Sequence, residues 1–327
     1  MNLNKEVVKV SNLCKWYKQR NDKLFSREQF NVKAVDGIDF ELYEGEVLGV
    51  IGESGCGKST LGKLLVRLED PSNGDIIING ERSDELIKRD PKAFRRTVQI
   101  VFQNPFDTFT PRHTIGKILC RALEIHKIGN TVEEREKMSI EVLENAGLRP
   151  GIDFFNRFPY ELSGGQLQRI SILRSMLLEP DFLVADEPVS MLDVSVRAEI
   201  INMLKDLVKK HNTSIVFISH DIAITRYISN RIAVMYLGRI VEMGESDEVI
   251  NNPAHPYTQA LISNCASIDL DESHNPMKID GEPPTPVNPG PGCYFADRCP
   301  KATEKCFKEY PKYIDLGNGH KASCHNI

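Results

Sequence analysis

The chain is expected to fold as an α/β protein of the P-loop NTPase type, carrying a helical subdomain insert and ending in a short cysteine-rich segment. Three observations predict this. A wholly apolar run, VLGVI at 47–51, opens onto the glycine-rich stretch GESGCGKST at 52–60. Two further short apolar runs, at 182–185 and 215–218, flank a segment with helical periodicity. Four of the eight cysteines, Cys293, Cys299, Cys306 and Cys324, crowd into the C-terminal stretch, whereas Cys14, Cys56, Cys120 and Cys265 are scattered.

Bulk properties bound what such a chain can do. A length of 327 residues allows two domains, or one large domain with an appendage. A hydrophobic fraction of 41% is enough for a sizeable core and unlike a disordered chain. Basic and acidic residues, 41 against 46, leave a net charge of −5, which argues against a nucleic-acid partner. No run approaches the 18 or so consecutive apolar residues of a membrane span, and the start, MNLNKEVVKV, lacks the long apolar segment of a secretory signal. A soluble, cytoplasmic chain is therefore expected, and there a tight group of four cysteines suggests metal or cluster ligands rather than disulfides.

Taken in order, residues 32–51 alternate and then turn apolar, as a strand entering a buried sheet does. Residues 61–68 after the glycine loop read as a helix. Between about 104 and 160 the pattern is helical: T131-V-E-E134 fits a capping box, Gly147 supplies a stop, and Met138, Val142, Leu143 and Ala146 form one apolar face. Residues 167–178 are helical again. The runs 182–185 and 215–218 read as buried parallel strands, joined through a helix at 194–210 marked by Ile200, Ile201, Leu204, Leu207 and Val208. Beyond about residue 250 the composition shifts. Pro276, Pro283, Pro284, Pro286, Pro289 and Pro291 permit little helix or central strand, so an extended wrapping segment is expected to lead to the cysteines. A nucleotide-binding domain over 1–250 and an extension over 251–327 follow.

The chemistry begins at Gly52, Ser54, Gly55, Cys56, Gly57, Lys58, Ser59 and Thr60 within GESGCGKST, a match to G-x-x-x-x-G-K-[ST] between a strand and a helix. The glycines let successive backbone N–H groups turn around phosphate oxygens, Lys58 adds a point charge at the β- and γ-phosphates, and the Ser59 hydroxyl can ligate Mg²⁺. ATP and Mg²⁺ are thus the expected ligands. Cys56 contributes backbone here; its side chain reads as a bystander. At the other apolar run, FLVADEP delivers Asp186 and Glu187 at a strand's C-terminal end. Asp186 is placed to hold Mg²⁺, directly or through water, and Glu187 to orient and polarise the attacking water.

These features fit any P-loop hydrolase or kinase until LSGGQ is reached, at residues 162–166. Ser163, Gly164, Gly165 and Gln166 then sit at a helix N-terminus, whose free N–H groups and dipole suit an anion. This pentapeptide resembles the signature of ABC-type ATPases, and the order Lys58, Gln103, Ser163, Asp186, His220 agrees with it over about residues 5–250. The resemblance implies a head-to-tail dimer with a second ATPase subunit, a paralogue or a copy of itself, burying two ATP molecules. It implies that Gln103 senses the γ-phosphate, approaches the metal and moves the helical insert, and that His220 is the switch histidine supporting Glu187. Asp193, in SMLD, matches the loop that crosses the dimer interface, with Met191 where alanine is more usual. Tyr17 aligns with the ring that stacks on adenine, its neighbour Trp16 being the alternative.

Residues 252–258, NPAHPYT, resemble the segment that marks dipeptide and oligopeptide importers, also used by some nickel importers. The run VKAVDG at 32–37 and the C-terminal cysteines agree, and the extra stretch at 19–31 resembles the F-type subunit of paired ATPases. Such a subunit is expected on the cytoplasmic face of the cell membrane, peripheral to two integral membrane permease subunits and served by an extracytoplasmic peptide-binding protein. A soluble ABC ATPase of translation or repair is the rival; one P-loop, one signature and a short span between Gln103 and Ser163 oppose it.

The spacing C-x5-C-x6-C-x17-C fits neither a zinc-finger pair nor a ferredoxin run. Four thiolates can nevertheless close around a 4Fe–4S cluster or tetrahedral zinc. The resemblance implies the cluster, in a structural or regulatory role.

Overall fold

The computed structural model describes residues 5–20, 29–264, 281 and 284–327. Cys265, Pro276, Pro283 and most of the stretch at 19–31 fall outside them, as does the Leu207 side chain. In chain order the elements begin with β1 (Glu6–Arg20), β2 (Gln29–Tyr43), β3 (Val47–Ile51), α1 (Lys58–Leu65), β4 (Asn73–Ile78), β5 (Glu81–Arg82), α2 (Ser83–Arg89), α3 (Pro91–Thr97) and β6 (Val98–Val101). There follow α4 (Ile115–Ile125), α5 (Val132–Asn145), α6 (Gly151–Asn156), α7 (Gly164–Met176), β7 (Phe182–Asp186), α8 (Val194–His211) and β8 (Ser214–Ile218). The chain closes with α9 (Ile222–Ile228), β9 (Arg231–Tyr236), β10 (Arg239–Glu245), α10 (Ser246–Asn251), α11 (Pro256–Ser263), α12 (Glu304–Lys308), β11 (Ile314–Gly317) and β12 (His320–Ala322).

Two compact units divide the chain, and neither is continuous in sequence. One comprises residues 1–8, 42–46 and 77–216; the other comprises 9–41, 47–76 and 217–327. In the first unit β6 and β7 pair in parallel, Val98 opposite Phe182 and Val101 opposite Ala185. All five β7 residues are buried, as the unbroken apolar run requires of a strand covered on both faces. The helical insert is built of α4, α5 and α6. Thr131 caps α5 by accepting from the Glu134 N–H at 3.1 Å, and Leu143, Ile115, Leu119, Phe154 and Leu167 form its core.

In the second unit β3 pairs in parallel with β9, Leu48 opposite Arg231 and Ile51 opposite Val234, while β9, β10, β12 and β11 continue outward with antiparallel pairing. The core here gathers Ile51, Ile232, Val234, Tyr236, Val249, Tyr257 and Phe295. Phe295 lies between two of the clustered cysteines, so the C-terminal segment borrows this core rather than building its own.

Two local expectations shift. The apolar passage at 32–51 is two strands, because the turn at Glu44 and Gly45 interrupts it. The helix after the glycine loop starts at Lys58 and stops at Leu65, since Arg67 takes a left-handed φ of 53° and Leu68 N–H returns to the Lys63 carbonyl at 2.9 Å. Leu68 consequently faces outward. The described part of the proline-rich stretch, from Pro284 onward, lies along β2 as a wrapping segment should, with Lys33 N–H donating to the Pro286 carbonyl at 3.0 Å and Val32 bridged to Val287.

Candidate functional site

In the second unit the phosphate loop leaves the fully buried β3 and returns directly into α1. Gly57 has φ 104°, and a Cβ there would stand 2.0 Å from the Ala34 carbonyl oxygen, so no other residue fits. A Cβ at Gly52 would similarly meet the Met235 carbonyl at 2.2 Å. Gly238 N–H donates to the Cys56 carbonyl at 2.8 Å and fixes the far side of the loop. The buried Lys58 ammonium donates to the Gly52 and Glu53 carbonyls, at 2.7 and 2.9 Å, and thus rests inside the curve of the loop. Ser54, Gly55 and Ser59 are exposed around it. Cys56 is buried and burial pushes its thiol up, which suits a bystander and not a redox switch.

Two rings flank this loop in the same unit. The Tyr17 hydroxyl donates to Glu69 and interacts with Thr60, so this ring reaches α1; burial, then Glu69, raise its phenol to about 12. The Trp16 indole N–H instead donates to the buried Asp36 at 3.1 Å. Exposure does not separate them, at 39% for Trp16 and 37% for Tyr17, but direction does: neighbours on a strand point to opposite faces, and Tyr17 takes the one beside Thr60. His220 is exposed at the C-terminal end of β8. The preceding Ser219 N–H donates to the Val50 carbonyl at 3.1 Å, which ties that strand end to β3 just before the phosphate loop.

The first unit positions the remaining groups. Asp186 ends β7 and is buried; Glu187 follows in a left-handed conformation with φ 51°. A β-carbon residue in that region is strained, and Ser190 holds it there, its hydroxyl donating to the Glu187 carbonyl at 3.0 Å. Gln103 is exposed two residues beyond β6. Ser163 caps α7 in a capping box: its hydroxyl accepts from Gln166 N–H at 3.3 Å and its own N–H donates to the Gln166 side chain at 3.0 Å. Gly164 and Gly165 are then the first helical residues, and a Cβ at Gly165 would stand 2.8 Å from the Val196 side chain. The Gln168 amide donates to the Phe102 carbonyl at 3.3 Å, linking α7 to the segment that carries Gln103. Asp193 is exposed at the start of α8.

Comparison with known proteins turns this geometry into a family. Residues 35–190 match the ABC transporter family, and residues 241–306 match the oligopeptide/dipeptide transporter C-terminal region. The chain is 44% identical over 296 residues to the putative oligopeptide transport ATP-binding protein YkfD of Bacillus subtilis, covering 90% of this chain and 89% of that protein. It is 42% identical over 325 residues to the dipeptide transport ATP-binding protein DppF of Escherichia coli, covering 98% and 95%. The chain belongs to the ATP-binding proteins of the ABC transporter family. Among solved structures it resembles a dimeric ATP-binding cassette in a post-hydrolysis state bound to ADP and Pi, with TM-score 0.64 and 28% identity over 73% of this chain and 98% of that one. The fold and the enzyme class expected from the motifs are therefore correct: this is an ABC-type ATPase.

This ABC ATPase has a C-terminal region whose contacts no motif disclosed. Cys293, Cys299, Cys306 and Cys324 all line one small cavity, together with His255 and Phe295. Burial and the neighbouring sulfurs push the Cys293 thiol up to about 11, and burial raises Cys299 and Cys324 as well. Among the described residues no three histidine, cysteine or carboxylate side chains stand in metal-holding geometry. His255, its imidazole driven down to about 4 by burial, accepts from Tyr257 N–H at 3.0 Å. The Tyr257 hydroxyl in turn accepts from the Glu53 N–H of the phosphate loop at 2.9 Å. His320, on β12, meets the fully buried Glu242 at 2.7 Å and pins the last hairpin. Among the described residues no helix is long and apolar enough to cross a membrane.

Proposed function

We propose that this ATPase powers uptake of di- and oligopeptides by an ABC importer. It would act at the cytoplasmic face of the membrane with a second ATPase subunit, two integral permeases and an extracytoplasmic peptide-binding protein. The observation that carries the reading is the joint match of a complete set of nucleotide motifs and of the peptide-transporter C-terminal region, along nearly the full length of peptide-transport relatives. In this reading Lys58 and the N–H groups of Gly52 and of residues 54–60 hold the phosphates, Tyr17 stacks on adenine, and Ser163, Gly164, Gly165 and Gln166 present a helix N-terminus to the partner subunit's nucleotide. Ser59, Gln103 and Asp186 supply oxygen ligands suited to Mg²⁺, which when bound neutralises phosphate charge. Glu187 orients and polarises the attacking water, and His220 supports it from the γ-phosphate side. Glu187→Gln tests the assignment: ATP binding is expected to persist while turnover falls about 10²–10⁴-fold, and equal turnover would overturn it. For transport, ATP-dependent uptake of a labelled dipeptide into vesicles carrying the whole assembly is the expected result. Nickel uptake without peptide uptake, or full ATPase function without membrane subunits, would sink it.

A second reading concerns the cysteine cavity. Each of the four sulfurs receives a backbone N–H: from Phe295 at Cys293, from Lys301 at Cys299, from Thr303 at Cys306 at 3.5 Å, and from Asn326 at Cys324 at 3.4 Å. Such donors oppose the rise that burial imposes on the thiols, and four sulfurs lining one cavity suit a 4Fe–4S cluster in this reading and zinc in its alternative, which would have to draw the sulfurs into ligand geometry on binding. Brown protein with visible absorbance and bound iron is expected; colourless protein holding only zinc would overturn the cluster.

A further inference from the structure

The cysteine cavity and the phosphate loop are joined by one side chain. Arg298, adjacent to Cys299, forks onto the Glu53 carboxylate, its two terminal nitrogens 2.7 and 3.0 Å from the two oxygens. The guanidinium is nearly buried, with its side chain 8% exposed, and it also donates to the Tyr236 hydroxyl at 3.3 Å and the Gly281 carbonyl at 2.8 Å. Glu53 is the first residue after Gly52 in the loop and is held at every polar group. Arg298 takes the side chain, the Tyr257 hydroxyl takes the N–H, and the Lys58 ammonium takes the carbonyl at 2.9 Å. The pose of Lys58 thus depends on Glu53, and that of Glu53 on Arg298.

A second link runs to β1 and β2. Tyr294, adjacent to Cys293, donates through its hydroxyl to Asp36 at 2.7 Å, and Asp36 is the acceptor for the Trp16 indole at 3.1 Å and for Arg239 at 2.7 Å. Residues beside two of the four cysteines therefore reach the phosphate loop at Glu53 and the buried Asp36 of β2, within one compact unit.

We propose that Arg298 is a positioning residue for nucleotide binding, through which the C-terminal cysteine segment sets the ATP affinity of the phosphate loop. Two physical effects act in the same direction. The fork fixes the backbone that cradles Lys58, and it neutralises a carboxylate that would otherwise stand unpaired beside a polyphosphate. Removing Arg298 leaves that carboxylate free to repel the ligand, so affinity falls while the chemical step, which uses groups elsewhere, is spared.

The inference rests on residues 52–60 binding nucleotide, and the experiment separates the two. Binding of a fluorescent ATP analogue to the full chain is measured for the wild type, Arg298→Gln, Glu53→Gln with Arg298→Gln, and Lys58→Ala, with thermal melting to verify folding. Arg298→Gln is expected to weaken binding about tenfold, with KM for ATP raised and kcat nearly unchanged. The double variant, having lost the unpaired charge, is expected to return to within about threefold of wild type, a rescue that a merely structural arginine would not give. Cys299→Ser is expected to weaken binding alone but to add nothing in the Arg298→Gln background. Unchanged binding by Arg298→Gln, a double variant as weak as the single, or additive effects with Cys299→Ser would each overturn the proposal. Should Arg298→Gln fail to fold, Arg298→Lys keeps the charge and loses the fork; binding weakened about threefold supports the role and unchanged binding refutes it. If Lys58→Ala binds nucleotide as the wild type does, the reading of the loop itself falls. If Lys58→Ala loses binding and Arg298→Gln keeps it, only this inference does.

Discussion

The phosphate loop and the signature end of α7 offer the same thing, a curve or row of backbone N–H groups suited to phosphate, yet they are held in opposite ways. Ser163 and Gln166 satisfy one another across three positions, so the helix end is set by neighbours in sequence. The phosphate loop is set from afar: by the Ala34 carbonyl behind Gly57, by Gly238 on the Cys56 carbonyl, and by Tyr257 and Arg298 on Glu53, the last 245 positions away. One carries its own support, whereas the other is assembled by the whole unit around it.

Substitution at Gly57 is the largest way to break this contrast. Gly57→Ala places a methyl group 2.0 Å from a backbone oxygen that cannot yield without moving its strand, on a residue at φ 104°. The conformational strain alone costs about 1–3 kcal/mol, and the clash adds to it. Loss of nucleotide binding with a lowered melting temperature is expected in a titration and a thermal melt. Normal binding would show that the loop is less confined than its surroundings indicate.

The Asp36 network is the next test of remote support. Tyr294, Arg239, Lys33 and Trp16 face this carboxylate, and although burial opposes the charge, the hydroxyl and the cations hold its pKa below the ordinary value. A depressed pKa contributes stability above the unfolded-state value near 3.9, and that stability is lost as pH falls through the lower folded-state value. Asp36→Asn is expected to cost about 2 kcal/mol at neutral pH, judged from a hydrogen bond to a charged group. The deficit should begin to shrink in urea melts below about pH 4 and disappear as pH falls through the lower folded-state value, where the wild type loses the same charge. A deficit independent of pH would remove the electrostatic account.

What could be read in the sequence follows the same division. The strands β3, β7 and β8, the cap at Thr131, and the glycines of LSGGQ at the start of α7 were legible because each depends on a few consecutive residues. The C-terminal stop of α1 was not, because the left-handed Arg67 carries no glycine to announce it. Nor was the break that divides the passage at 32–51 into two strands, since alternation continues through the turn at Gly45. The motif at 252–258 marked a subfamily, but that its Tyr257 hydroxyl receives the Glu53 N–H is a tertiary fact. Arg298 is silent in the sequence: an arginine between two cysteines carries no signal until the fold brings Glu53 beside it. A bidentate partner for the acid inside a glycine loop is the kind of contact that only packing reveals.

The smallest effect is expected where support is local. Ser163→Ala deletes one acceptor at the N-terminus of α7 and leaves the Gln166 N–H without its cap, a loss of about 1 kcal/mol. Because the reciprocal bond from Ser163 N–H to the Gln166 side chain is a backbone donation, it survives the substitution and limits the damage. Affinity of the phosphate loop for nucleotide should be unchanged in the isolated chain, since no residue that fixes that loop is touched. Ser163→Asp should keep the cap and nearly all the stability, yet set a negative charge where the dipole of α7 would otherwise meet phosphate. ATP turnover should therefore fall more in Ser163→Asp than its melting temperature suggests, and less in Ser163→Ala. The reverse order would mean that this helix end serves the fold and not the nucleotide.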